Sequence, residues 1–289
     1  MPSRRPLLLI ALSAVCFAVM ALAAKLASAR LSGGQVAFLR FAFMLVPVLL
    51  VPSLGRKAIT FQRLDLLLYR GIFGGTSVLL YFLAIAHVPV GIATLLNYSA
   101  PIYSVAFAAL FLGERVDRRL LVPLAAAFAG VVLVAGGGGD LGERLRFGTW
   151  EAVGLVSAVL SGAAVTAIRA ARRTEGSWAI YGSFSAFGLL AAAPLGIASF
   201  RAPTPREWGL LAVVGVCSIA AQLLMTYAYR WVTNLQAGVM AQLTVVLSLF
   251  FGAVLLGDRL KPLQLCGSLL TLAGVLGVVW LQATPRAVE

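Results

Sequence analysis

The sequence predicts an all-α membrane protein with ten transmembrane helices arranged as two inverted five-helix repeats, and three observations carry that prediction. The chain of 289 residues is 61% hydrophobic and 11% charged, with a mean hydropathy of +0.97, far more apolar than a soluble domain of this length. Its apolar residues fall into runs of about 20, the length that crosses ~30 Å of hydrocarbon at ~1.5 Å per residue. The two halves also repeat. Gly113-Glu114-Arg115 returns as Gly257-Asp258-Arg259, Gly130 as Gly274, Ala84 as Ala228, Lys25 as Arg169, and Ser13-Ala14-Val15 as Ser157-Ala158-Val159, all at one ungapped shift of 144 residues. Agreement at separated places, at half the chain length, marks an internal duplication.

Arg4 and Arg5 precede the first run, Leu7 to Leu26. With Ala27-Ser28-Ala29 beyond it, this stretch imitates a cleaved secretory leader. Its full spanning length, and a repeat counterpart at 151–170 that cannot be a leader, predict a retained helix. Further spans are expected at 35–53, 65–86, 91–112, 119–136, 151–170, 177–199, 208–229, 235–256 and 262–281, by run length and turn signals. An odd number of spans per copy makes the second copy enter the membrane from the opposite side, so the repeats are inverted. Residues 1–136 form the first repeat, the glycine-rich 137–149 the linker, and 150–289 the second repeat.

Lysine and arginine set the orientation. With the N-terminus inside, the inner segments gather Arg4, Arg5, Arg56, Lys57, Arg63, Arg115, Arg118, Arg119, Arg169, Arg172, Arg173, Arg230 and Arg286, against about half as many basic residues outside. This predicts an inner-membrane protein with both termini in the cytoplasm. The net charge of +13 is then loop charge of this kind, and no nucleic-acid partner is expected.

The fourth run carries the chemistry. Pro101 has no N–H to give to the carbonyl of Asn97, and Asn97, Tyr98, Ser99 and Tyr103 bring polar side chains to mid-span, where an unpartnered polar group is costly. The counterpart of Tyr98 is Gln242. Both halves thus offer polar groups near the midplane, where inverted-repeat transporters hold substrate. Each residue alone can equally be an interhelical hydrogen bond worth about 0.6 kcal/mol; as a set they predict a cavity. Tyr81, Gln222, Phe17, Phe38 and Tyr227 are further candidates for its lining, with plain packing as the alternative for the aromatics. Lys25 and Arg169, near opposite ends of counterpart spans, either snorkel to the headgroups or act as gating charges that draw a carboxylate toward each mouth. Arg40 and Arg70 are placed about a turn deep and are expected to anchor helices or to pair with Glu151 or Glu114. His87 is expected at an interface, and Cys16, Cys217 and Cys266 as buried thiols without metal-ligand spacing.

The acids are informative by position. All ten Asp and Glu residues fall in loops or at span ends, so no carboxylate is placed at the midplane to carry a proton or sodium ion. There is no G-x-x-x-x-G-K-[ST] loop for ATP, no nucleophile, acid pair or metal set for an enzyme, and no cofactor is expected. A carrier is therefore expected to move its substrate down the substrate's own gradient or by exchange, and a channel is the alternative.

Arg40 in the second span, FLAIAHVPVGIATLL across the turn into the fourth, Pro101, LGER and a glycine-bearing fifth span, with AYRWVTNLQAGV and LGDR in the second half, resemble the EamA-type members of the drug/metabolite transporter superfamily. Among these the chain is most similar to bacterial exporters of aromatic amino acids. No proline stands opposite Pro101 in the second copy. The resemblance covers nearly the whole chain and implies ten helices in two inverted repeats, with export of small metabolites by alternating access. Aromatic or other amino acids are the expected substrates; multidrug or nucleotide- and sugar-type carriage within the superfamily is the alternative. A monomer in the lipid bilayer suffices for this. The spacings Ala126 to Gly130 and Ala273 to Gly277 leave open whether small residues pack helices within one chain or between two.

Overall fold

The computed structural model describes residues 5–112, 118–136, 148–171, 174–228 and 234–283. Its helices are α1 (Arg5–Ala27), α2 (Gly33–Leu50), α3 (Pro52–Ile59), α4 (Leu64–His87), α5 (Val90–Tyr98), α6 (Ala100–Leu112), α7 (Leu121–Gly136), α8 (Thr149–Ala171), α9 (Ser177–Ala198), α10 (Pro205–Ala228), α11 (Asn234–Leu255) and α12 (Pro262–Ala283), with a 3₁₀ turn at Arg118–Leu120. Helix covers each segment expected to span. Among the described residues, six helices, α1, α2, α4, α8, α9 and α10, are long and apolar enough to cross a membrane, and α7, α11 and α12 hold shorter apolar stretches.

Two departures come from proline. The second run was expected to reach residue 53, but the chain turns at Val51, and Pro52 opens the separate short helix α3; a residue without an N–H fits the first turn of a helix and not its interior. The fourth run is not one helix. It breaks at Ser99, two residues before Pro101, where Ser99 N–H donates to Leu96 O (3.2 Å) and Ile102 N–H to Ser99 O (2.9 Å) in three-residue turns. The counterpart α11, without a proline, is continuous.

Caps fix several helix ends. Ser32 Oγ accepts from Gln35 N–H (3.0 Å) at the start of α2. Thr204 and Glu207 form a capping box at the start of α10: Thr204 N–H donates to Glu207 Oε2 (2.7 Å) and Glu207 N–H to Thr204 Oγ1 (3.4 Å), with Pro205 in the first turn. At the end of α11, Gly257 takes φ +68, and Asp258 N–H reaches back to Gly252 O (2.9 Å), which ends the helix and sets the Asp258 backbone. Gly257→Ala is expected to cost about 1–2 kcal/mol, because a Cβ is disfavoured in the left-handed region; thermal unfolding of the detergent-solubilised protein measures it.

The halves pack mainly against each other. Counterpart helices meet in antiparallel pairs: on α2 and α9 Gly34 lies against Leu195 and Phe41 against Gly188; on α7 and α12 Gly130 lies against Thr271 and Gly277 against Pro123; on α5 and α11 Gly91 lies against Leu249 and Val90 against Gly252. Contacts between non-counterpart helices come in matched sets as well, α4 on α8 with α1 on α10, and α6 on α8 with α1 on α11. The match extends to single residues. A Cβ on Gly71 would stand 2.4 Å from the Phe187 ring, and one on Gly215 2.7 Å from Phe43; residues 71 and 215, and 43 and 187, are counterparts. Ser13 Oγ donates to Ala221 O and Ser77 Oγ to Ser157 O, each at 2.8 Å, again at counterpart positions.

Gly130, Gly267, Gly274 and Gly277 all serve the α7–α12 seam, so these small residues pack helices within one chain. Outward faces carry Leu110, Val122, Leu190, Val216 and Leu269, all exposed, the pattern of a lipid-facing belt. The cysteines correct one expectation: Cys16 and Cys217 are only half-buried and Cys266 is exposed, because Cys266 faces outward from α12.

Candidate functional site

The polar residues of the fourth run come to the seam between halves. Asn97, near the C-terminal end of α5, donates its amide to Ser157 Oγ on α8 and, at 3.4 Å, to Ser77 Oγ on α4. Three helices, two from the first half and one from the second, meet at one amide. Ser99 is fully buried, and its hydroxyl donates to Leu96 O (2.6 Å), satisfying a carbonyl at the break. Tyr81 Oη pairs with Thr94 Oγ1 (2.8 Å), and Thr94 Oγ1 donates on to Val90 O (2.7 Å), a chain that ties α4 to α5.

Two sequence candidates keep unused polar atoms in the interior. Tyr103 Oη on α6 and Gln242 Nε2 on α11 are buried without a hydrogen-bond partner among the described residues. Gln222 is buried on α10. Tyr98, Phe17 and Phe38 are half-buried and pack on the main apolar core, with Phe38 against Gly196. Tyr227 stands apart: it is 59% exposed on the outer surface of α10.

Arg40 and Arg70 depart from expectation. They lie fully inside, 2% and 5% exposed, and neither forms an ion pair with an acid among the described residues. Arg40 sits near the middle of α2, donates Nε–H to Ser218 Oγ on α10 (2.8 Å), and lies close enough to the phenols of Tyr181, Tyr81 and Tyr98 to interact with them electrostatically. Arg70 lies against the face of Phe184 at 4.0 Å. Glu151, one expected partner, is at the first turn of α8; Glu114, the other, lies outside the described residues.

Lys25 Nζ donates to Val88 O (2.8 Å), linking α1 to the α4–α5 turn, and it interacts electrostatically with Asp258. Asp258 Oδ2 is buried, has no hydrogen-bond partner among the described residues and lies against Gly252. The side chain of Arg169 lies outside the described residues. His87 is exposed and stacks on Trp150 at 3.5 Å between ring centroids.

Clasps join the halves at both ends of α9. At one end Arg30 donates to both carboxylate oxygens of Glu207 and to Ala202 O, and the Gln35 amide exchanges two hydrogen bonds with the Arg201 backbone. At the other, Glu175 Oε1 accepts from Gln62 and Arg63 N–H at 2.9 and 2.6 Å, beside a surface recess of 330 Å³ lined by Lys57, Thr60, Glu175 and Trp178.

Sequence reasoning missed Ser77 and Ser157 as partners of Asn97, although Ser13 and Ser157 belong to the repeated Ser-Ala-Val triplet. It also placed Arg40 and Arg70 too near the surface. The signal that points inward is local: each is followed within four residues by small or aromatic positions, Phe41, Gly71 and Gly74, which make room for a guanidinium among rings.

Comparison with known proteins adds a family. The model of the EamA-like transporter family matches residues 4–136 and again 148–280. The chain is 31% identical over 214 residues to the pseudopaline exporter of Pseudomonas aeruginosa (strain UCBPP-PA14), covering 74% of each chain. It is 31% identical over 195 residues to a probable terminal-alkyne amino-acid exporter of Streptantibioticus cattleyicolor, covering 66% of this chain and 64% of that one. A solved crystal structure with 19% identity shares the fold, with a TM-score of 0.63 over 96% of this chain and 98% of that one.

Proposed function

Because the chain belongs to the EamA-like transporter family, matched once in each half, we propose that it exports amino-acid-like metabolites across the inner membrane by alternating access of two inverted halves. It is a membrane transporter and not an enzyme. The observation that carries the mechanism is the antiparallel packing of counterpart helices, α2 on α9, α5 on α11 and α7 on α12. A two-fold relation of this kind gives two conformations of similar energy that open to opposite sides of one central site. Residues 1–136 and 150–289 are the two units, joined by 137–149, with ten spans and both termini in the cytoplasm.

The site of this reading takes Asn97, Tyr98, Ser99, Tyr103, Tyr81 and Gln242 as its lining, with Gln222, Phe17 and Phe38 as further members. Lys25, whose Nζ donates to Val88 O, and its counterpart Arg169 are the gating charges of this reading. The relative named a probable terminal-alkyne amino-acid exporter supports a zwitterionic substrate, and the seam's amide, hydroxyl and phenol groups suit one.

Liposomes holding the purified protein and preloaded with single amino acids test the reading. Counterflow of at least one labelled amino acid is expected without ATP, and without accumulation driven by an imposed proton or sodium gradient. Accumulation that collapses with a protonophore and disappears in Glu114→Gln would replace gradient-driven export by proton coupling. Absence of counterflow across amino acids, nucleosides and sugars would remove the transport reading for these classes.

A further inference from the structure

Arg40 and Arg70 hold two positive charges in the seam between the halves, and no acid among the described residues pairs with either. Both side chains are more than nine-tenths buried. Arg40 Cζ lies 5.0, 5.5 and 5.7 Å from the ring centroids of Phe41, Phe82 and Phe184, and Arg70 Cζ lies 4.0 Å from Phe184. The two cations share one ring and repel each other. Gly74 has no side chain where one would collide: a Cβ there would fall 1.7 Å from Arg70 Nη1. The Arg70 side chain thus lies along the bare face of Gly74.

Ring faces attract a cation, but they leave the N–H groups in the plane of the guanidinium unsatisfied. Arg40 spends Nε–H on Ser218, while Arg40 Nη1 and Arg70 Nε are buried with no hydrogen-bond partner among the described residues. Charged groups inside a membrane protein are normally paired, and an unpaired one marks a functional site. The flat fork of a guanidinium matches a carboxylate in shape and charge. Phe184 is the repeat counterpart of Arg40 and touches it, so the pair lies beside the two-fold axis that relates the halves. A site there stays central whichever side is open.

We propose that Arg40 and Arg70 together bind the carboxylate of the transported solute, so that the protein selects organic acids, zwitterions included, over their neutral amides and esters. Phe82, which packs on Arg40, follows Tyr81 in α4, and Tyr81 Oη pairs with Thr94 on α5, the helix that carries Asn97, so this anion subsite lies next to the Asn97 seam. The inference rests on the export reading for its solute, but it concerns binding and can be tested apart from transport.

The test measures thermal unfolding of the purified, detergent-solubilised protein with each of the common amino acids, with the matching carboxamide, and with the aminophosphonate of any amino acid that stabilises. At least one acid is expected to raise the unfolding temperature and to bind at least tenfold more tightly than its amide. Arg40→Gln and Arg70→Gln are expected to remove that preference while raising the unfolding temperature of the ligand-free protein, because each removes a buried unpaired charge. Arg70→Lys keeps the charge and is expected to keep part of the preference.

Acids and amides that act alike on the wild type, or a glutamine variant that unfolds earlier and still prefers the acid, would show the arginines to be structural struts and overturn the proposal. A phosphonate bound at least as tightly as the carboxylate would overturn its carboxylate assignment. An acid that binds with these properties but is not moved by liposomes sinks the export reading alone; liposomes that move acid and amide equally sink only this one.

Discussion

Gly130→Leu and Gly274→Leu are each expected to lower the stability of the protein by several kcal/mol, among the largest single-residue effects in the chain. On the α7–α12 seam a Cβ at Gly130 would stand 2.5 Å from Thr271 N and 2.6 Å from Gly267 O, and one at Gly274 2.4 Å from Ala127 N. These neighbours are backbone atoms, which cannot swing aside as a side chain can, so the helices must separate. Overpacking of a well-filled interior typically costs about 1–3 kcal/mol and sometimes more, and in lipid no hydrophobic gain offsets lost helix contact. Gly209→Leu is the control: nothing lies within 4 Å of a Cβ there, and its effect is expected within about 0.5 kcal/mol, as at an ordinary surface position. Thermal unfolding of the three variants in detergent checks the contrast. If Gly130→Leu and Gly209→Leu unfold together, the α7–α12 contact does not hold the halves.

Asn97→Leu is expected to reduce transport at least tenfold while the unfolding temperature falls by only a few degrees. In this structure the Asn97 amide bridges Ser77 and Ser157. Interhelical hydrogen bonds of this kind average about 0.6 kcal/mol in membrane proteins, too little to unfold the chain and too little to explain a tenfold loss, which needs about 1.4 kcal/mol at the rate-limiting step. A large functional loss beside a small structural one therefore assigns Asn97 to the substrate path. Counterflow in liposomes and thermal unfolding of the same preparation give the two numbers. Parallel loss of both would make Asn97 a structural bridge. Cysteine at position 97 adds a direct reading, since on the export mechanism it reacts with a small water-soluble thiol reagent and is protected by substrate.

Composition was enough to read helices and a membrane setting, because an apolar chain in lipid must satisfy every backbone N–H and C=O within each segment, and helices do this without any partner. The duplication was legible for a different reason. The repeated Gly-Glu/Asp-Arg triplets, Gly130 with Gly274 and Ser13 with Ser157 are spaced along the chain itself, and the family model finds the same two copies. The motif around Pro101 likewise announced an interruption, since a missing N–H is a property of the residue and not of its surroundings.

What the linear chain left undetermined is which side chains meet. Asn97 was visible as a costly polar residue, but its partners are sixty and twenty positions away in sequence, on other helices. Arg40 and Arg70 looked like anchors near a membrane surface because hydropathy counts distance along a helix and is blind to what surrounds it. Only the packing of α2, α4, α9 and α10 shows that phenyl rings, a serine and the bare face of Gly74 enclose both guanidiniums. Backbone satisfaction and repeat spacing are local and periodic, so they are written in residue order; the neighbours of a charge depend on how the helices cross, and they exist only once the two halves have closed on each other.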